Sequence, residues 1–165
     1  MCLTCQIVQG KIRPPGGLVY INDVAVLHHS IDTDIPGYLI LSPVRHVESF
    51  SDLNVKEMRV LCQLLKSSLT ILEKAEGIKK VYICSFGEVS THFHFHIFPR
   101  YDWMLSLGDT QTNEMTDAAR IFSKVRQLRK HNQLTDCGQG INDLAEKISN
   151  SLILWEGENG ESSCF

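Results

Sequence analysis

Histidine and phenylalanine strictly alternate in the segment HFHFH, and this alternation constrains the fold more than any other feature of the chain. Successive side chains of a β-strand point to opposite faces of the sheet. A strand at this position therefore places His92, His94 and His96 on one face and Phe93 and Phe95 on the other. We predict that the phenylalanine face is buried, and that the histidine face carries a row of groups that titrate near neutral pH.

Three interpretations of the histidine row are open at this point. Three imidazoles on one strand can bind a metal ion. Alternatively, a neutral imidazole can attack phosphorus while its charged neighbours stabilise the anionic phosphate. The third interpretation is a set of surface histidines with no chemical role. Three histidines in regular alternation, in a chain that contains seven, favour a functional interpretation.

The pattern of the first hundred residues predicts an α+β domain with an antiparallel sheet. Short β-rich runs bounded by turn residues indicate strands, and apolar residues at every third or fourth position indicate a helix. Asn54 and Glu57 have the spacing of a capping box at the start of that helix. The predicted elements are strands at 18–22, 24–28 and 37–43, a long helix at 54–76, and strands at 80–86 and 92–98.

The character of the sequence changes after Trp103. Residues 116–131 and 142–153 each carry apolar residues on one helical face, which is typical of amphipathic helices. We predict that residues 1–104 form one domain. Residues 105–165 are then a carboxy-terminal helical extension, packed on that domain or on a dimer partner.

Charge and targeting signals narrow the functional classes. The net charge of −3 supplies no positive field for nucleic acid, and no apolar run approaches the roughly 20 residues that span a bilayer. Because no secretory signal pattern opens the sequence, we expect a cytoplasmic protein whose six cysteines are reduced. Cys62 and Cys84 lie within apolar segments and are interpreted as small core residues.

Three motifs together point to a known family. HFHFHIF at 92–98 has the pattern His-φ-His-φ-His-φ-φ, where φ is apolar. CLTCQIVQGKI at 2–12 follows C-x-x-C-x-I-x-x-G-x-I, and PGYLILSPVRH at 36–46 is similar to P-G-H-φ-φ-φ-x-P-x-R/K-H. Over residues 2–104 the chain resembles the histidine-triad (HIT) family of nucleotide hydrolases and transferases, in its zinc-containing C-x-x-C branch.

The resemblance implies a fold and a chemistry. Family members have a five-stranded antiparallel sheet with a long helix, usually form homodimers, and bind a nucleotide with its α-phosphate against the triad. The middle histidine, His94, is then the nucleophile that forms a covalent nucleotidyl-histidine intermediate. His96 contacts the phosphate and helps to protonate the leaving group, and no catalytic metal is required. Ser90 is expected to bind phosphate, and His29 to bind ribose.

The same resemblance implies a structural zinc ion. In the C-x-x-C branch the ion is held by the two cysteines, by the histidine that closes the P-x-R/K-H strand, and by the first triad histidine. These positions are Cys2, Cys5, His46 and His92. Two thiolates and two imidazoles suit a closed tetrahedral zinc site.

The nature of the substrate stays open. The expected partner is a purine nucleotide or nucleotide conjugate, cleaved as a nucleoside phosphoramidate or a dinucleoside polyphosphate. Tyr38 stands where the family has histidine after Pro-Gly, and His29 stands where it often has Asn or Asp. The alternative function is a catalytically slow nucleotide-binding protein with a regulatory or scaffold role. The intact His94 and His96 favour the enzyme.

Overall fold

The structure is a computed structural model, and it describes residues 2–107, 118–130 and 138–159. Its strands are β1 (Leu18–Ile21), β2 (Ala25–His29), β3 (Leu39–Pro43), β4 (Ile78–Cys84) and β5 (Phe95–Tyr101). Its α-helices are α1 (Leu3–Val8), α2 (Val55–Leu72), α3 (Ala118–Lys130) and α4 (Gly138–Asn159), and short 3-10 helices span Phe50–Asp52 and Asp102–Leu107. None of the helices in these ranges combines the length and the apolar character needed to cross a membrane.

The five strands form one antiparallel sheet in the order β1-β2-β3-β5-β4. The predicted α+β class and antiparallel sheet are thus confirmed. The largest difference lies at β5, which begins at Phe95 rather than at His92. His92 and His94 therefore belong to the segment that enters the strand, and only His96 lies within the ladder of strand hydrogen bonds.

Helix α2 begins with the predicted capping box. The Asn54 side chain accepts from the Glu57 amide at 2.9 Å, and the Glu57 carboxylate accepts from the Asn54 amide at 2.9 Å. Together these contacts satisfy two of the amides that a helix start leaves without partners. The helix ends at Leu72, four residues before the predicted end.

The interpretation of Cys62 as a core residue is wrong, because Cys62 is exposed. Cys84 is half-buried and packs at the edge of the core cluster that contains Phe98. Leu61 and Leu64 are buried on α2, and consecutive helical residues point about 100° apart. Cys62 therefore lies beside the buried stripe of the helix rather than in it.

The two faces of the sheet are covered by different helices. Helices α2 and α4 cover the face that carries Leu41 and Ile97, and Ile148 and Leu152 of α4 are fully buried there. Helix α3 packs on the opposite face. The residues of that second cluster are Ile35, Tyr38, Phe98, Met104, Ile121, Phe122 and Val125.

Part of the predicted extension lies outside the described residues, namely 108–117, 131–137 and 160–165. The two described helices of the extension both contact the sheet domain of the same chain. His96 and Phe98 alternate with the buried Ile97 on β5, so they point to the opposite face of the sheet. Helix α3 packs on that face. This placement brings the extension next to the histidine row.

Candidate active site and metal centre

A cleft of about 370 Å³ opens on the sheet face that carries His96. Its sides come from the start of the chain, the β2–β3 connection, the loop before the histidine row, and α3. The residues that line it are Leu3, Thr4, His28, Ser30, Ile31, Asp32, Ile40, Phe86, Gly87, Glu88, Val89, Ser90, His94, His96, Ala119, Phe122, Ser123 and Arg126.

Strand register aligns the base of the cleft. Ile40 on β3 pairs with His28 on β2 and with His96 on β5. Paired residues of neighbouring strands point to the same face of a sheet and lie close together. His28, Ile40 and His96 therefore form one row across three strands, and the row faces the cleft.

The orientation of His94 is fixed by a main-chain contact. Its Nδ1 lies 2.7 Å from the carbonyl oxygen of His92. A carbonyl only accepts hydrogen bonds, so Nδ1 carries the proton and donates it. In a neutral imidazole with this tautomer, the lone pair is on Nε2. His94 is half-buried and lines the cleft, where the Nε2 lone pair faces Nε2 of His96.

His96 continues this chain of hydrogen bonds. Its Nε2 lies 3.0 Å from Nε2 of His94, and one of the two nitrogens must carry the proton. Because the His94 proton is on Nδ1, Nε2 of His96 is the donor. The remaining nitrogen of His96, Nδ1, then accepts from the Tyr38 hydroxyl at 2.8 Å. Tyr38 thus sets the tautomer of His96, which in turn faces His94.

The protonation states agree with this assignment. Burial, and then the neighbouring His94 and Arg126, lower the pKa of His96 to about 3, so its imidazole is neutral at physiological pH. Burial raises the pKa of the Tyr38 hydroxyl above its ordinary value. Tyr38 is therefore protonated and able to donate throughout the neutral range.

The structure does not bring His29, the residue expected to bind ribose, to the cleft. His29 is buried, and its Nδ1 and Nε2 donate to or approach the carbonyl oxygens of Ser30 and Ile35 at 2.7 and 2.6 Å. Both ring nitrogens thus serve the β2–β3 connection, and the side chain does not line the cleft. The preceding residue, His28, lines it instead, because adjacent strand residues face opposite sides of the sheet.

His28 brings an unused acceptor to the cleft. Its Nδ1 donates to the His29 carbonyl oxygen at 2.8 Å, which leaves the lone pair on Nε2. Nε2 is buried and has no hydrogen-bond partner among the described residues. Burial is the main reason that the pKa of His28 falls to about 4, and the imidazole is neutral. Ser90, expected to contact phosphate, also lines the cleft.

The four predicted metal ligands come together at the end of the histidine row. The ligand atoms of Cys2, Cys5, His46 and His92 all lie within 4.8 Å of one another. Sγ of Cys2 is 3.3 Å from Nδ1 of His92, and Sγ of Cys5 is 3.4 Å from Nδ1 of His46. Ligand atoms around a tetrahedral zinc ion are about 3.4–3.8 Å apart, given the usual Zn–S and Zn–N bond lengths. The three sulfur–nitrogen distances, 3.3, 3.4 and 3.7 Å, lie close to this range, and the outer limit of 4.8 Å for the whole set is looser than in an occupied site.

The tautomer of His92 also fits a metal ligand. Nε2 of His92 donates to the Pro43 carbonyl oxygen at 2.9 Å, so the lone pair is on Nδ1, which faces both cysteines. A metal-bound histidine commonly donates its second nitrogen to a carbonyl in this way. Burial lowers the pKa of His92. The lower pKa favours the neutral imidazole, which is the form that binds a metal.

Three residues at or behind the cleft could not be identified from the sequence. Tyr38 lies behind His96 and differs from the HIT motif, which gives no indication that its hydroxyl holds His96. Phe122 and Arg126 belong to an amphipathic helix whose pattern is typical of ordinary packing, and no local signal marks them. Phe122 lies 5.5 Å from the His96 ring, centroid to centroid.

Comparisons with known proteins agree with the fold and the motifs. Residues 13–103, just over half of the chain, match the model of the HIT domain, and the chain belongs to this family. An uncharacterized HIT-like protein of Saccharolobus solfataricus is 34% identical over 106 residues, which cover 61% of this chain and 75% of that protein. A second one, of Methanocaldococcus jannaschii, is 27% identical over 106 residues, covering 62% of this chain and 81% of that protein.

Solved structures share the fold at lower sequence identity. A Hit-like protein involved in cell-cycle regulation from Bartonella henselae superposes with a TM-score of 0.59 and 17% identity, covering 91% of this chain and 95% of that chain. A zinc-bound histidine triad family protein from Mycobacterium smegmatis gives a TM-score of 0.58 and 14% identity, covering 91% and 96%. The five-stranded α+β architecture is therefore that of the HIT fold.

Proposed function

We propose that the protein is a nucleotide hydrolase or nucleotidyl transferase that cleaves at the α-phosphate through a nucleotidyl-histidine intermediate. One observation carries the proposal. Nδ1 of His94 donates to the His92 carbonyl at 2.7 Å, so the lone pair is on Nε2, and this lone pair is freed for attack when the Nε2 proton of His96 turns from His94 to the phosphate. Family membership supports the same chemistry, because the HIT motifs include this triad.

The first step joins His94 to the substrate. Nε2 attacks the α-phosphorus, an N–P bond forms, and the bond from phosphorus to the leaving group breaks. The imidazole of the intermediate is positively charged, and the His92 carbonyl that accepts from Nδ1 stabilises this charge. Attack by water or another acceptor on the same phosphorus then releases the nucleotide and restores His94.

His96 supplies the proton for the leaving group. It is neutral in the free protein, since its pKa is about 3. A bound phosphate anion raises this pKa, because an opposite charge nearby favours the protonated imidazole. His96 therefore takes up a second proton from solvent as the substrate binds, donates a hydrogen bond to the phosphate, and passes one proton to the departing atom, which returns the imidazole to its neutral form. Ser90, which also lines the cleft, binds phosphate oxygen.

The four ligand side chains Cys2, Cys5, His46 and His92 hold a structural zinc ion. Their spacing and the Nδ1 lone pair of His92 support this assignment, as does the zinc-bound relative in Mycobacterium smegmatis. Such an ion fixes α1 against the sheet. Since Leu3 and Thr4 line the cleft next to these cysteines, the metal site also shapes one side of the nucleotide site.

The remaining parts of the proposal rest on the family resemblance. We propose a purine nucleotide or nucleotide conjugate as the ligand, a homodimer as the working assembly, and the cytoplasm as the location. Nucleoside phosphoramidates and dinucleoside polyphosphates are the substrate classes to test. A protein that binds nucleotides but turns them over slowly is the alternative, and the first experiment distinguishes the two.

The test uses an adenosine phosphoramidate and diadenosine tetraphosphate with wild type and His94→Ala. We expect the wild type to release nucleotide and His94→Ala to lose this activity by at least a thousandfold, on the order of other nucleophile deletions. Rapid denaturation of the wild type at alkaline pH should trap a nucleotide on His94, detected by peptide mass spectrometry, because the N–P bond of the adduct survives alkali but is hydrolysed in acid. Equal activity in both proteins refutes the role of His94, and nucleotide binding without turnover favours the alternative.

Zinc is tested separately by elemental analysis of the purified protein. Wild type should contain one zinc ion per chain, and the double variant Cys2→Ser, Cys5→Ser should contain none. Cys62→Ser is the matched control, because Cys62 is exposed on α2 far along the chain from the cluster. Unchanged zinc in the double variant overturns the metal assignment.

A further inference from the structure

One face of α3 lines the cleft. Ala119, Phe122, Ser123 and Arg126 all border it, and their spacing of three and four residues places them on one side of a helix. These residues lie outside the segment 13–103 that matches the HIT domain. The motifs of the HIT domain therefore do not account for these side chains.

Without α3, the Asp, Glu, Lys and Arg residues that line the cleft among the described residues are all acidic. Arg126 is the only Lys or Arg among the cleft-lining residues that the structure describes, whereas Asp32 and Glu88 are both acidic. His28 and His96 are neutral, with pKa values near 4 and 3. A phosphate group brings additional negative charge into the cleft. The permanent cation available to it comes from α3.

The guanidinium of Arg126 is held at the cleft but is not fully used. Its Nη2 lies 2.7 Å from Oδ2 of Asp32, and its Cζ lies 5.8 Å from the centre of the Phe122 ring. The Phe122 ring in turn contacts His96. A guanidinium has five N–H donors, and Asp32 is the hydrogen-bond partner of Arg126 in the described part of the chain. Donors are therefore left to bind an oxyanion.

We propose that Arg126 recognises the phosphate of the ligand, and that Asp32 holds Arg126 in place when no phosphate is bound. This proposal rests on the proposed function, since it concerns the same cleft. A guanidinium binds phosphate oxygens with two parallel N–H donors, which a lysine ammonium does not reproduce. Asp32 occupies the Nη2 donor and places a negative charge beside the phosphate, so it opposes phosphate binding at the remaining donors. The two members of this ion pair therefore affect phosphate binding in opposite directions.

The test compares the binding of AMP and adenosine by calorimetry, with full-length protein at fixed ionic strength. Arg126→Gln should weaken AMP binding by roughly tenfold, the range of one charge-assisted hydrogen bond, and leave adenosine binding unchanged. Arg126→Lys should recover part of the loss. Asp32→Asn should strengthen AMP binding, because it removes the competing carboxylate. Lys124→Gln is the control, since it removes the same charge from α3 at a position that does not line the cleft.

The sign of the Asp32→Asn effect decides between recognition and a purely structural ion pair. If the ion pair only holds α3 in place, both variants should loosen α3 and weaken the binding of AMP and of adenosine alike. That result would overturn the proposal. Unchanged AMP binding in Arg126→Gln would also overturn it. Wild type that binds AMP through Arg126 but turns over no substrate leaves this inference standing and refutes the proposed catalysis. If the protein turns over substrate but AMP binding does not depend on Arg126, this inference is refuted and the proposed catalysis stands.

Discussion

Replacement of Tyr38 by phenylalanine tests the chain of hydrogen bonds that orients the proposed nucleophile. The Tyr38 hydroxyl donates to Nδ1 of His96 at 2.8 Å, and Nε2 of His96 faces Nε2 of His94 at 3.0 Å. Tyr38 is 1% exposed and His96 is 7% exposed, so water does not readily replace the lost hydroxyl. Nδ1 of His96 then has no partner.

The expected magnitude follows from the burial of these groups. A buried polar atom without a partner costs about 1–3 kcal/mol. His96 can avoid this cost only by moving its proton to Nδ1, but two lone pairs then face each other between His96 and His94. Either outcome weakens the arrangement around Nε2 of His94. We expect kcat/KM to fall by roughly 5- to 150-fold, which corresponds to the same free-energy range.

The assay combines kinetics with a direct measurement of the tautomer. In wild type, the ¹⁵N chemical shift of Nε2 in His96 should be that of a protonated nitrogen, and in Tyr38→Phe it should move toward the value of the unprotonated form. Tyr82→Phe is the control, because the Tyr82 ring also stacks on Phe98 but its hydroxyl has no hydrogen bond in the described part of the chain. An unchanged His96 tautomer together with unchanged kcat/KM in Tyr38→Phe would refute the reasoning.

Three further predictions concern stability. Glu57→Gln should lower the free energy of unfolding at neutral pH, because the Arg45 guanidinium lowers the pKa of Glu57. This stabilisation is complete above the unfolded-state pKa and is lost as the pH falls through the folded-state pKa. Urea titrations at several pH values should therefore show that the difference between variant and wild type shrinks below the ordinary glutamate range. Gly37→Ala should destabilise by about 1–3 kcal/mol, because Gly37 has φ of 76° and an added Cβ would lie 2.6 Å from Cδ2 of Leu72; equal urea midpoints would contradict this. Ile148→Ala should cost about 2–5 kcal/mol, since Ile148 is fully buried, and circular dichroism should still show one transition; a separate early transition would mean that α4 unfolds independently.

The two-residue period of a β-strand was sufficient to predict which side chains of the histidine segment share a face. Alternation of histidine and phenylalanine separates two faces, and the structure shows Phe93 buried in the core with Phe95 packed beside it, while His94 and His96 line the cleft. The resemblance to the HIT family gave the candidate metal cluster of Cys2, Cys5, His46 and His92, and the four side chains lie together in the structure. Both features depend on local geometry or on a motif with fixed spacing, which a single sequence displays.

The remaining features depend on contacts that a single sequence does not encode locally. Two consecutive histidines, His28 and His29, differ only by the face of β2 to which they point, and a shift of one residue in register exchanges them. Arg126 meets Asp32 across 94 positions of sequence, and an arginine on an amphipathic helix is equally typical of a solvated face. The packing of α3 on the sheet determines that Arg126 lies at the cleft.

The covering of one sheet face by α3 has a consequence for the timing of assembly. A ribosome releases the chain from its amino terminus, and domains generally fold in that order. The last strand of the sheet ends at Tyr101 and leaves the exit tunnel before Phe122 and Arg126 do. A nascent chain can therefore form the histidine row before it has the aromatic and cationic side of the cleft. The complete cleft exists only after α3 has left the tunnel and docked on the sheet, so the binding site is completed later than the fold that carries its histidines.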